Sequence, residues 1–184
     1  MNTLKTSIAA IALLAVAAGQ AQAADAGPSP ESYAAMGFYL RGDIGWSFLN
    51  WAGGNDDSAL TGGAGVGSQI TDQSRTDLRY DWAGNYKVAP GADLSVSTAL
   101  GNLYFDIPTN TMITPYLGAG AGYGWGTVDG GNDKDGFAFA IMAGASIGLT
   151  DSIDMDVGYR FREIMSNGSN PMEHQVTTGL RFKF

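Results

Sequence analysis

The run Ile153-Asp154-Met155-Asp156-Val157-Gly158-Tyr159-Arg160-Phe161-Arg162 decides how this chain is read. Ile153, Met155, Val157, Tyr159 and Phe161 share one parity. Asp154, Asp156, Gly158, Arg160 and Arg162 share the other. Successive side chains of a strand point to opposite faces, so the run is a β-strand with one apolar and one charged face. A water-soluble sheet would turn the apolar face inward. Here the charged face carries both signs, two acids and two arginines that can pair. A membrane barrel uses that inverted arrangement, apolar toward lipid and polar within. The remainder of the chain decides between the two.

Lys5 precedes an apolar stretch, Ile8–Ala18, and Ala21-Gln22-Ala23 supplies a small-x-small cleavage site. Residues 1–23 therefore read as a cleaved secretory signal peptide. Their apolar run of about 11 residues is short of the roughly 20 that a spanning helix needs. Residues 24–36, with Pro28 and Pro30, read as a periplasmic lead, and residues 37–184 as one barrel domain. The chain has 18 acids against 10 bases, a poor match for nucleic acid or for electrostatic docking on anionic lipid. It has no cysteine. An exported domain of this size without disulfides is held in another way, and a closed hydrogen-bonded barrel suffices.

Eight strand-like runs follow from residue 37. They are Gly37–Phe48, Gly62–Ile70, Arg75–Lys87, Leu94–Ile107, Ile113–Val128, Gly136–Leu149, the opening run, and Glu173–Phe184. The first turns Phe38, Leu40, Ile44, Trp46 and Phe48 to one face, and the third does so with Leu78, Tyr80, Trp82 and Tyr86. The fifth alternates an outward row with Gly118, Gly120, Gly122 and Gly124. Alternation is weak over Ser95–Ala99, which leaves the register of the first half of the fourth run open. Leu49–Thr61 reads as the most developed loop. Connections after the odd runs are expected to be mostly longer than those after the even ones. The expected fold is all-β, an eight-stranded antiparallel up-and-down transmembrane β-barrel with both termini periplasmic.

The parity assignment places seven bases inside, Arg41, Arg75, Arg79, Arg160, Arg162, Arg181 and Lys183. It places seven acids with them, Asp43, Asp77, Asp81, Asp106, Asp154, Asp156 and Glu173. The lumen set is neutral, as a narrow space that must desolvate its charges requires. Lipid-facing positions carry no charge in this assignment. Eight strands leave room for little beyond side chains, so the network reads as a plug, with a narrow ion path as the other reading. The glycine row of the fifth run would favour the path by opening local space.

Four segments resemble a known family. They are Tyr39-Leu40-Arg41-Gly42-Asp43-Ile44-Gly45, Thr114-Pro115-Tyr116-Leu117-Gly118-Ala119-Gly120-Ala121-Gly122-Tyr123, Met155-Asp156-Val157-Gly158-Tyr159-Arg160-Phe161, and the ending Gly179-Leu180-Arg181-Phe182-Lys183-Phe184. They resemble the small outer-membrane barrels of the opacity-protein type, surface antigens and porin-like proteins of Gram-negative bacteria. The resemblance implies an outer-membrane location, contact with outer-membrane lipid and lipopolysaccharide, and no cofactor. It implies that Phe184 is the signal read by the barrel-assembly machinery. It leaves function open, because this fold hosts pores, adhesins, stabilising proteins and some lipid-modifying enzymes.

Other constellations are weaker. His174 is the only histidine, and its same-face neighbour is Val176 rather than a serine, which disfavours a lipid-A-modifying enzyme. One histidine and no cysteine make a poor metal site. Asp56-Asp57 and Asn132-Asp133-Lys134-Asp135 lack a calcium-loop pattern. Trp51, in the first loop, is the aromatic best placed to touch a host surface or another external ligand, against the plainer reading that it packs on the rim. The expectation is a non-enzymatic structural surface barrel. A narrow porin is the alternative, and a lipid-A-modifying enzyme a distant third.

Overall fold

The computed structural model describes residues 37–50, 57–89, 92–109, 111–128, 134–166 and 170–184. The expected signal peptide, periplasmic lead and Trp51 lie outside them. Eight strands are present: β1 (Phe38–Asn50), β2 (Asp57–Thr71), β3 (Ser74–Ala89), β4 (Ala92–Asp106), β5 (Ile113–Val128), β6 (Lys134–Gly148), β7 (Ile153–Met165) and β8 (Met172–Lys183). Each pairs antiparallel with its sequence neighbour, and β8 returns to β1 through pairs such as Leu40 with Phe182. The barrel is closed, so no strand edge is left unpaired, as a lipid environment demands. The first and last described residues, Gly37 and Phe184, lie at one end, where the Phe184 amide meets the Phe38 carbonyl.

Alternation builds two surfaces. Phe38, Leu40, Ile44, Trp46 and Phe48 of β1 are exposed, while Tyr39, Arg41, Asp43, Ser47 and Leu49 between them are buried. The outer surface is an apolar belt, with Phe38, Phe105, Phe182 and Phe184 toward the terminal end and Trp46, Phe48, Trp82, Tyr123 and Phe137 toward the other. Two aromatic girdles bounding an apolar band mark a bilayer-spanning barrel.

Several boundaries differ from expectation. Leu49–Thr61 is not one loop: β1 runs on to Asn50 and β2 begins at Asp57, which leaves 51–56 as the connection. Connection lengths do not alternate. The link after β3 is 90–91 and that after β4 is 107–112. Charges also occur on the outward face, because the strands run further than their alternation suggested. Glu163 of β7 and Asp135 of β6 lie on outward positions near the loop end.

Tyr86 was expected outward and is fully buried in the lumen. The cause is a bulge. Ala83 pairs with Val96 and Tyr86 with Leu94, so β3 carries one extra residue there. Asn85 takes it up at φ 66°, the left-handed region that asparagine tolerates better than most residues. One extra residue inverts the parity of everything beyond it.

Candidate functional site

The strands aim their charged rows at a common axis. The seven bases and seven acids assigned inward by parity all take part in ion pairs, and all except Lys183 are buried residues. Nine of them form one alternating series: Lys183–Asp154–Arg181–Asp156–Arg41–Asp43–Arg79–Asp81–Arg160. It starts at the terminal end, where the Lys183 side chain is 41% exposed. Its tightest part is central. Arg79 Nη2 lies 2.7 Å from Asp43 and 2.6 Å from Asp81, and Arg160 reaches Asp81 at 2.8 Å. Asp77 branches off Arg41 at 3.3 Å and also accepts from Asn102 Nδ2 at 2.7 Å.

Glycine makes this ladder possible. Arg79 on β3 reaches Asp43 on β1 across β2, whose inward row there is Gly63 and Gly65. A Cβ at either would meet the Arg79 side chain, and at Gly63 also Asp81. The β5 row acts likewise, with side chains of neighbouring strands in the space beside three of its glycines. Tyr104 occupies the space beside Gly118, Asn102 that beside Gly120, and Ile164 that beside Gly124. Arg75 bonds Asp106 through Nε at 3.0 Å, and its guanidinium stacks 4.3 Å from the Tyr104 centroid and 4.9 Å from that of Tyr116. The rings supply a cation–π environment to a cation with no access to water.

Toward the loop end the lumen changes character. Glu173 accepts from Arg162 Nε at 2.7 Å, Tyr86 at 2.7 Å and Ser47 at 3.3 Å, while Arg162 Nη1 donates to Thr98 at 2.7 Å. Beside and beyond this pair sit Leu49, Ala59, Ala83, Leu94, Val96, Ala138 and Ile164, all buried. The inward row of β4 begins Leu94, Val96, Thr98, Leu100, which settles the open register and adds an apolar layer that sequence reasoning missed. The lumen is thus a charged ladder under an apolar cap.

The remaining candidates scatter. Phe184 is exposed, and its amide donates to the Phe38 carbonyl at 3.0 Å, tying the chain end to β1. His174 faces outward, with Tyr159 rather than a serine as its hydrogen-bond partner. Among the described residues no three His, Cys, Asp or Glu side chains gather as a metal site.

The outer membrane protein beta-barrel domain model matches residues 9–184. The chain belongs to that family. It is 33% identical to a protein of Brucella abortus (strain 2308) described only as uncharacterized, over 78% of this chain and 72% of that one. Its fold superposes on Neisserial surface protein A with a TM-score of 0.72 at 26% identity, covering 80% of this chain and 97% of the other. It also superposes on Ail, the attachment invasion locus protein of Yersinia pestis, with a TM-score of 0.53 at 14% identity, covering 80% and 99%. The family places the chain in the outer membrane as a surface barrel, with the ladder and cap inside it.

Proposed function

We propose that this protein is a non-conducting structural barrel of the cell surface, whose loop-end girdle and loops contact lipopolysaccharide or an external ligand. The filled lumen carries the reading. A diffusion pore needs a continuous wet path, whereas here paired charges occupy the lower and middle lumen and apolar side chains the upper. His174 supports the non-enzymatic side, because its bonding partner is a phenol and not a nucleophile positioned for acyl transfer. The same reading has the termini in the periplasm, residues 1–23 removed on export, and Phe184 recognised by the barrel-assembly machinery. Neisserial surface protein A, a surface protein by name, is a solved relative that supports the cell-surface part of the reading. Planar-bilayer recording tests the reading. The barrel purified from outer membranes should give no steady conductance steps. Reproducible ion-selective steps would overturn it in favour of a narrow porin.

A further inference from the structure

The charged ladder leaves β7 and comes back to it. From Asp156 it passes to Arg41 and Asp43 of β1, crosses to Arg79 and Asp81 of β3, and returns to Arg160 of β7. These residues are three acids and three bases. They form a ring with one break, between Arg160 and Asp156, where Gly158 stands in their inward row. The two sides of the break are anchored elsewhere. Arg160 donates from Nη1 to Asp81 at 2.8 Å, and Asp156 Oδ1 accepts from Ser146 at 2.6 Å. The break belongs to a wider gap. Gly144 of β6, Gly158 of β7, Thr177 of β8 and Gly45 of β1 stand in register, all on inward positions. One row across four strands thus carries a single short side chain, and its residues are half-buried. Toward the loop end the next row, Met142, Arg160, Gln175 and Ser47, is buried. Toward the terminal end Ser146, Asp156 and Asp43 are buried as well.

Buried polar atoms border this gap with their bonding capacity unused. Gln175 is fully buried, and neither Nε2 nor Oε1 of its amide has a hydrogen-bond partner among the described residues. Arg160 Nε lacks one too, and Asp156 Oδ2 has only the 3.4 Å ion pair with Arg41. The Tyr116 hydroxyl reaches in from β5. A Cβ at Gly144 would meet it at 2.6 Å, and one at Gly158 would meet it as well. The glycine row is the reason these groups miss each other, because it places no side chain between the Arg160–Gln175 row and Asp156. Buried polar groups that protein atoms do not reach are satisfied in folded proteins by ordered water, where the space is polar and supplies two or more partners. The charge balance selects the same occupant. An anion in the gap would face Asp156 and a cation would face Arg160, whereas the open positions ask for a neutral molecule that both donates and accepts.

We propose that the gap over Gly144, Gly158, Thr177 and Gly45 is an enclosed binding site for ordered water, which joins Arg160 Nε and the Gln175 amide to Asp156 Oδ2 and closes the ring of charges. Tyr116 is a further partner of that water, and Gln175 is its anchor. The site goes beyond the non-conducting reading and does not rest on it. A crystal structure of the detergent-purified barrel, grown with bromide in place of chloride, tests it directly. Ordered water should lie within hydrogen-bond distance of the Gln175 amide and of Arg160 Nε or Asp156 Oδ2. An anomalous bromide peak in the gap, or the absence of density there, would overturn the site. Stability supplies a test by sign. Gln175→Met keeps the volume of the side chain and removes both amide atoms. If water satisfies them, the unfolding constant in lipid vesicles should rise roughly three- to ten-fold, the scale of one lost hydrogen bond. If the amide is dry and unbonded, the substitution relieves it and the constant falls. Tyr116→Phe should also raise the constant, and it serves alone should Gln175→Met not assemble. An unchanged or lowered constant for either variant would overturn the site. Conductance steps from wild type would count against the non-conducting reading and leave the site standing, since density and stability are read without reference to current.

Discussion

Glu173 shows how one buried carboxylate is held in a lumen without bulk water. Arg162 neutralises it, and Tyr86 and Ser47 donate to it. Burying an ion pair does not by itself stabilise a fold, but removing one partner strands the other charge. Arg162→Met should therefore destabilise the barrel by about 3–5 kcal/mol. Arg162→Met combined with Glu173→Leu should recover most of that loss. Urea midpoints of the barrel in lipid vesicles check both, and a double variant no better than the single would show that the pair is not the coupled unit. Tyr86→Phe removes one donor to a charged acceptor and should cost about 1.5–3 kcal/mol in the same assay. Lumen-facing parity was legible for Arg162 and Glu173, because both lie on cleanly alternating runs. Tyr86 was not, because the signal was a Gly84-Asn85 pair inside a strand-like run, which marks a bulge only once it is weighed as such.

Among the elements, β3 and β4 show what alternation conveys and what it does not. On β7, Asp154 to Arg162 alternate against apolar partners, and the faces are unambiguous. On β4 the inward row begins Leu94, Val96, Thr98 and Leu100, mostly apolar, while Ser95 and Ser97 take the other parity, so polarity gave no guide to direction. The choice of ionic partner was equally hidden. Arg79 meets Asp43 only because β2 lies between them with glycines in its inward row. Two predictions belong at this scale. Asn85→Val forces a β-branched residue into the left-handed region, a cost of about 1–3 kcal/mol, and should lower the urea midpoint accordingly. Val157, exposed on the outward face of β7, should not tolerate charge. Val157→Arg is expected to cost about 2–4 kcal/mol near the midplane and to cut the folded fraction in outer membranes. Normal insertion of that variant would contradict the outward assignment of the whole strand.

For the molecule as a whole, the ladder and the cap lie one above the other along a single axis, so on the non-conducting reading proposed above they are barriers in series. Any permeating ion must cross both, and weakening one leaves the other in place. The ladder blocks by filling its cross-section with paired groups. The cap, built around Leu49, Leu94 and Ile164, blocks by excluding water. Opening only the cap, with Leu94→Ser and Ile164→Ser, should leave the bilayer record silent, because Arg79, Asp43 and Asp81 still close the centre. Opening only the ladder, with Arg79→Ala and Asp43→Ala, should also leave it silent, because the cap stays dry. The four substitutions together should produce steady steps, provided that heat-modifiable gel mobility shows the barrel intact. Conduction by the cap-only variant would mean that the ladder is already permeable and that the apolar layer alone keeps this barrel shut.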